Sequence, residues 1–448
     1  MYKRLTNWMF KEIDGVQLRL FRIFFGMLVM VECWGAIGTG WVKETFVEPH
    51  FTFPFIGFEW TQVLLGYPMY LLYAILGLAG LGIALGYRYR VSILLFSIGW
   101  SLTYWMQKSH YNNHYYLLML ISWIMVVMPA NRTVLFNWQR YVFVAQMWIV
   151  YTYAAIAKLY PGWYSGQYLH LRLSLSAKWF EQHFSWYSFA ALLKSGHFAQ
   201  LLSWLGIGFD FLVIPGLLWK PTRKWMFLAT LIFHIFNSVT LQIGIFPYFA
   251  LALCVFCFPP ELIRRRFAFV GIPASPLNHS AVVCPPHKKS TVFVFLAYLL
   301  WQIYLPLRHH LIPGDVLWTE EGHRMAWRMM LRSKAGRVQV YVKDKSTGER
   351  ERVHLDKYLS PHQRSAFATS PDMIWQFAQY IRRLYQEKGK DIGVYVNSKV
   401  SVNGSLYYPL IDPEIDLTTV NWRYFSHQPW ILDAPKGIYQ VRRPGSSF

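Results

Sequence analysis

"YVFVAQMWIVYTYAAIAKLYPGW", residues 141–163, is apolar along nearly its whole length and carries a single charged side chain, Lys158, close to its end. An apolar run of this kind crosses a bilayer as a helix, which takes roughly 17 to 25 residues. Comparable runs occupy 16–37, 69–87, 91–109, 115–129, 141–160, 197–219, 225–242, 245–258 and 290–306. Composition points the same way: of 448 residues, 54% are hydrophobic, 19% aromatic and 15% charged, whereas soluble chains carry about 25% charged residues. The expected fold is a polytopic α-helical membrane protein of about nine spans over residues 1–306, followed by a C-terminal extracytoplasmic α+β domain.

Lysine and arginine set the orientation. With a cytoplasmic N-terminus (Lys3, Arg4, Lys11), the cytoplasmic loops hold Arg88, Arg90, Arg132, Arg140, Lys220, Arg223, Lys224, Arg264, Arg265, Arg266, Lys288 and Lys289. The alternate loops are poorer in basic residues, with Lys43 alone in the first and almost none in "QIGIFPY", which is the positive-inside pattern. The first apolar run is span length and lacks a small-residue cleavage site, so no cleavable signal is expected.

The net charge of +21 divides unevenly: residues 307–448 hold 21 basic and 14 acidic side chains, and the remaining excess belongs to loops that face anionic headgroups. The aromatic residues lie mainly within spans and at their ends, as interfacial belts do, so nucleic acid is not an expected partner. The cysteines are Cys33, Cys254, Cys257 and Cys284. They imply no structural disulfide, and a Cys-x-x-Cys pair at an apolar helix end without further ligands implies no metal site.

From Leu307 onward the pattern is that of an aqueous domain. "RVQVYVKDKSTGERERVHL" alternates about a glycine-containing turn as a β-hairpin does. "SPDMIWQFAQYIRRLYQEKGKDIG" predicts one amphipathic helix, with Ser370 as N-cap, Pro371 at its first position and Ile374, Phe377, Ile381 and Leu384 on one face. "VYVNSKVSVNGSLYYPLID" reads as strand, turn, strand. An odd number of spans places residues 307–448 across the membrane from the N-terminus. Residues 165–195, too polar to span, are expected to lie along the outer surface as amphipathic helices. Residues 259–289, rich in proline and basic side chains, form the candidate linker.

This topology brings four polar elements to the outer half of the membrane: Asn112, Asn113 and His114 in the third loop, Lys158, His234, and Asn237 one turn after it. Each has an ordinary explanation: Lys158 can snorkel to the interface, His234 can be a packed histidine, and Asn113 suits a helix cap. Their concurrence argues for function, because ionisable groups inside membranes tend to mark substrate or proton sites. Glu32 and Asp210 are further buried-acid candidates.

At these residues the chain resembles the vitamin K-dependent γ-glutamyl carboxylases and, more broadly, proteins with the horizontally transferred transmembrane domain. The similar blocks are "YNNHYYL" (111–117), "YAAIAKLYPGW" (153–163), "FHIFNSVTLQIGIFPY" (233–248), "AWRMMLRSKAG" (326–336) and "LIDPEIDLTTVNW" (410–422). The resemblance covers nearly the whole chain with block order preserved. It implies a multi-pass protein of the bacterial inner membrane that oxygenates a reduced vitamin K or menaquinol-type naphthoquinone to its epoxide. The base so generated removes a γ-proton from a glutamate of a peptide or protein, and the carbanion takes CO2. O2 and CO2 are then co-substrates, quinol and membrane lipid are partners, and no metal is required.

The resemblance also assigns roles. Lys158 matches the catalytic base, and its apolar neighbours favour the neutral amine. His114 matches the active-site histidine, with Asn113 and Asn112 beside it, and His234 and Asn237 fall in a block that would bind or support the quinol. Trp327, Arg328 and Arg332 would bind the glutamate carboxylate. Unlike animal relatives, the chain has no outer-face cysteine after the first span, and it ends soon after the last block, so high-affinity propeptide capture is not expected. The other reading of the same polar groups is a non-catalytic quinone or lipid site, or part of a transport path, with the C-terminal domain as a docking module. Lys158 separates the two, since oxygenation requires a base.

Overall fold

The computed structural model describes residues 2–241, 243–271 and 288–439. Each of the nine apolar segments is helical: α1 (Val16–Gly38), α2 (Pro68–Leu85), α3 (Tyr89–Met106), α4 (Asn113–Val127), α5 (Asn137–Ala157), α7 (Gly196–Leu218), α8 (Arg223–Leu241), α9 (Phe246–Leu253) and α10 (Lys288–Leu307). Between α5 and α7 lies α6 (Gln167–Phe184), followed by the short helix Tyr187–Leu193. Among the described residues five helices are long and apolar enough to cross a membrane: α1, α2, α7, α8 and α10 with its extension to Leu311. The apolar helices Asn113–Val127 and Phe246–Cys257 are shorter. Cys284 and most of the candidate linker lie outside the described residues.

Small residues let α1 and α2 meet backbone to backbone. A Cβ on Gly26 would lie 2.3 Å from the Ala84 nitrogen, and one on Gly80 would lie 2.7 Å from the Met30 nitrogen. Such contacts hold helices together where lipid supplies no hydrophobic drive. Around them the bundle core is aromatic, with Phe143 stacked on Phe256 at 4.3 Å and Phe21 packed on both.

The basic loops gather at one end of the bundle. β1 (Glu12–Asp14) pairs antiparallel with β2 (Val134–Phe136), and Arg264 reaches Asp14 at 2.6 Å. Arg140 donates to the Phe256 carbonyl at 2.8 Å, and Arg22 to Asn131 Oδ1 at 2.6 Å. The C-terminal domain sits at the other end, where Lys108 pairs with Asp372, Gln167 donates to the Asn403 carbonyl and Tyr160 to that of Leu331.

That domain is a four-stranded antiparallel sheet in the order β4-β3-β5-β6, built from β3 (Lys334–Asp344), β4 (Arg350–Val353), β5 (Ile392–Val402) and β6 (Tyr408–Pro409). The hairpin register opposes Lys343 to Arg350, and the long β3–β5 pairing runs from Lys334↔Val402 to Asp344↔Ile392. Helix α11 (Pro371–Gln386) packs Ile374, Phe377 and Ile381 on the sheet. Pro371 opens it as expected, but the Ser370 side chain makes no cap hydrogen bond. One part of this core comes from far away in sequence. Phe53 of the first loop is fully buried among Trp318, Phe367 and Phe377, and Phe51 stacks on Tyr380 at 4.3 Å.

Candidate functional site

Lys158 caps the C-terminal end of α5, its backbone nitrogen bonded to the Ala155 carbonyl at 3.1 Å, and Pro161 prevents the helix from continuing. The side chain does not snorkel. It is buried and forms an ion pair with Asp210 Oδ2 of α7, while its Nζ lies 5.2 Å from the Trp163 ring centroid. Trp163 is held in turn by a 3.2 Å bond from its indole nitrogen to the Ser203 carbonyl. The expected lone amine is thus corrected to a pair. An unpaired ammonium in apolar surroundings costs several kcal/mol, and a carboxylate on the facing helix offsets much of it.

Next to the pair lies a cluster of aromatic rings and histidines. His234 is fully buried and shares a hydrogen bond of 2.9 Å between Nε2 and the Tyr151 hydroxyl. His114 stacks on Phe246 with ring centroids 4.2 Å apart, and the other edge of Phe246 meets His234 at 5.9 Å. Both histidines keep a buried Nδ1 with no hydrogen-bond partner among the described residues. Phe209, the residue before Asp210, packs on His234 at 6.3 Å, so α7 touches both the ion pair and the histidines. Among the described residues no hydrogen bond joins Lys158 to His114.

The asparagines have other work. Asn112 is the N-cap of α4 and accepts from the Tyr115 nitrogen at 2.7 Å, so the cap considered for Asn113 belongs to its neighbour. Asn113 is buried, accepts from the Tyr111 hydroxyl at 2.9 Å and donates to the Arg328 carbonyl at 3.3 Å, tying α4 to the C-terminal domain. Asn237 is half-buried and has no hydrogen bond among the described residues.

Beyond Asn113 the segment "MAWRMMLR" (325–332) runs as an irregular loop in which Met325, Trp327 and Met330 all take positive φ, a conformation uncommon outside glycine. Trp327 is fully buried against Tyr116, with centroids 5.0 Å apart. The two arginines differ. Arg332 is ion-paired with Glu320, which also holds Lys334 at 3.0 Å. Burial alone would raise the Glu320 carboxyl, but Arg332 and Lys334 outweigh it and hold the group well below the usual range. The carboxylate expected at Arg332 is therefore supplied by the protein itself. Arg328 has no carboxylate partner among the described residues; its guanidinium meets His309 Nε2 at 3.4 Å. It lines a cavity of about 500 Å³ together with Tyr160, His309 and Asp315 on the polar side and Ile156 and Leu159 on the apolar side. Lys158 faces away from this cavity, towards α7.

Two family models match the chain. The HTTM domain model covers residues 10–261, more than half of the chain, and the vitamin K-dependent gamma-carboxylase lumenal domain model covers residues 287–437. The chain belongs to the vitamin K-dependent gamma-carboxylase family. No solved structure matches it. The two matched regions correspond to the helix bundle and the sheet domain, and the paired polar groups above lie in the first, the Arg328 loop in the second. Membership in a gamma-carboxylase family implies a vitamin K cofactor and a glutamate-containing substrate. Sequence reasoning named Asp210 without a face, and it did not single out Tyr151, Phe246 or Glu320, whose residue types carry no local signal of such roles.

Proposed function

We propose that this gamma-carboxylase family member epoxidises a reduced naphthoquinone of the vitamin K or menaquinol type and couples this to γ-carboxylation of a peptide glutamate, with O2 and CO2 as co-substrates. The observation that carries the reading is the Lys158–Asp210 pair, buried inside an apolar bundle and connected through Phe209 to His234, which with His114 keeps an Nδ1 without a partner among the described residues. When bound, the reduced naphthoquinone supplies through its reaction with O2 a base stronger than any side chain tuned near neutrality, which a γ-proton demands.

The work of the chain is binding and proton handling. The Phe246 and His114 rings suit a flat aromatic headgroup, and the open Nδ1 atoms of His114 and His234 suit its oxygens. Because Tyr151 engages Nε2 of His234, Nδ1 is the atom left for a ligand. A proton passed from Lys158 Nζ to Asp210 Oδ2 converts the ion pair to a neutral pair, a step that low polarity makes easier than water would. The neutral amine then accepts a hydroxyl proton from the ligand. Arg328, the arginine without an internal carboxylate, is the group we assign to the substrate glutamate. Clustering of the basic loops at the end opposite the sheet domain supports a cytoplasmic N-terminus and an extracytoplasmic C-terminal domain.

The test uses purified protein with reduced naphthoquinone, O2, labelled CO2 and a glutamate peptide, with epoxide and fixed label assayed separately. We expect both in the wild type and neither in Lys158→Ala. Quinone binding without turnover in the wild type would replace the enzyme reading with the binding-protein one.

A further inference from the structure

β4 pairs with β3 only from Val340 to Lys343, whereas β5 runs along the whole of β3 on its other side. Backbone groups of a strand point alternately to its two neighbours. The Asp344 nitrogen donates to the Glu349 carbonyl on the β4 side and the Lys345 nitrogen to the Asp391 carbonyl on the β5 side, so the even-numbered residues of β3 turn towards β4. Where β4 is missing, the N–H and C=O groups of Gly336 and Val338 therefore lie on an open edge, with no hydrogen-bond partner among the described residues. A groove of about 480 Å³ runs beside that edge, lined by Gly336, Val338, Arg352, His354, Asp356 and Arg364. Edges of this kind are templates for a further strand.

The same register sorts the charges of the sheet by face. Arg337, Lys343, Arg350, Arg352 and Lys399 fall on the face away from α11, whereas Asp344 and Glu351 fall on the face towards it, where Glu351 meets the Tyr385 hydroxyl. Every Lys, Arg, Asp or Glu that β3, β4 and β5 place on the outer face is thus cationic. Arg337 stands directly opposite Lys399, and Lys343 opposite Arg350, pairings that cost a sheet stability. The acids nearby are few and partnered: beyond the end of β3 Asp391 pairs with Lys345 at 3.0 Å, and Asp416 accepts from the Val394 nitrogen at 2.9 Å. In the groove itself Asp356 adjoins Lys357, and Arg352 is exposed with no ion pair among the described residues.

We propose that an acidic segment of a protein partner docks here as an added strand. Its backbone pairs with Gly336 and Val338, and its alternate Asp and Glu side chains lie on the cationic face beside Arg337 and Arg352. That the partner is the protein to be carboxylated rests on the carboxylase reading. β3 begins at Lys334, directly after the loop that carries Arg328, so a segment on this edge leads towards the arginine assigned to the substrate glutamate.

The experiment titrates the full chain, in nanodiscs of neutral lipid and without quinol or CO2, into a fluorescent peptide of alternating Glu and Val read by anisotropy. Its outcome is independent of turnover, and failed epoxidation would leave it standing. We expect saturable binding, weakened about 10-fold or more when Gln replaces Glu in the peptide. N-methylation at the Val residues should abolish binding and at the Glu residues spare it, because residues whose N–H groups face β3 carry their side chains on the opposite face from the arginines. Arg337→Glu combined with Arg352→Glu should weaken the peptide about 10-fold or more. The unfolding midpoint of that variant should not fall, since Arg337→Glu turns a like-charge pair with Lys399 into an opposite-charge one. Absence of saturable binding, equal affinity for the Gln peptide, equal effects of the two methylations or wild-type affinity in the double variant would each overturn the proposal. Equal competition by vesicles of anionic lipid would overturn it too, by making the cationic face a membrane-contacting one.

Discussion

The helix bundle and the domain junction handle buried charge in opposite ways. In the bundle, Lys158 and Asp210 form a single pair, and the nearby histidines offer nitrogens with no partner. At the junction, Glu320 holds Arg332 and Lys334, and Asp372 holds Lys108 and Arg324. A lone pair in low polarity has no neighbour to take up its charge, so moving one proton changes the state of the whole site. A network shares each charge among several partners and resists such a change, which suits it to holding two domains together. The comparison teaches that reactivity is to be sought where partners are fewest.

The largest effect should come from Lys158. Lys158→Ala is expected to abolish epoxide formation and also to strand Asp210, a loss of about 3 to 5 kcal/mol for a broken buried pair. Replacing both residues by apolar ones, as in Lys158→Met with Asp210→Leu, should recover the thermal midpoint without recovering epoxide. If the double variant were as unstable as the single one, the pair would not be the isolated unit described here.

Asp372 tests the network. Burial alone would raise its carboxyl, but Arg324 and Lys108 bring it to about 2 against an ordinary 3.8. A depressed carboxylate contributes stability that is present above its unfolded pKa and lost as pH falls through the folded one. Acid unfolding followed by tryptophan fluorescence should therefore show about 2 kcal/mol of stability disappearing between pH 4 and 2 in the wild type and not in Asp372→Asn.

The two arginines of one loop sharpen the contrast further. Arg328→Ala should weaken peptide-dependent carboxylation by about 10- to 150-fold, the value of a charged hydrogen bond of roughly 1.5 to 3 kcal/mol, and lower the ratio of carboxylation to epoxidation. Arg332→Ala should instead lower the unfolding midpoint, because it removes a partner of Glu320. A like effect of both on peptide KM would merge the roles. The smallest effect is expected at Asn112, where Asn112→Ala removes only the cap of α4 and should cost about 1 kcal/mol, measured by thermal unfolding, with the epoxide rate per folded molecule retained.

Apolar runs and alternating strands are local properties, and from them the nine helical segments, the β3–β4 hairpin, α11 and the presence of Lys158, His114 and His234 in apolar surroundings could be read directly. Partnerships between distant residues could not. Asp210 lies 52 positions from Lys158, Asn113 meets Arg328 across 215, and Phe53 enters the core of a domain that begins some 250 residues later. Which face of a helix turns inward depends on what packs against it, and in a bundle surrounded by lipid the apolar pattern is nearly the same all round. Sequence by itself thus determined where the apolar helices and the strands β3 to β6 lie and which ionisable groups fall within or beside the apolar runs, but not the short β1–β2 pairing. Only the tertiary structure decided that Lys158 is paired, that Arg332 is occupied and that Arg328 has no carboxylate partner among the described residues, because those facts follow from burial and charge meeting across elements that no local pattern connects.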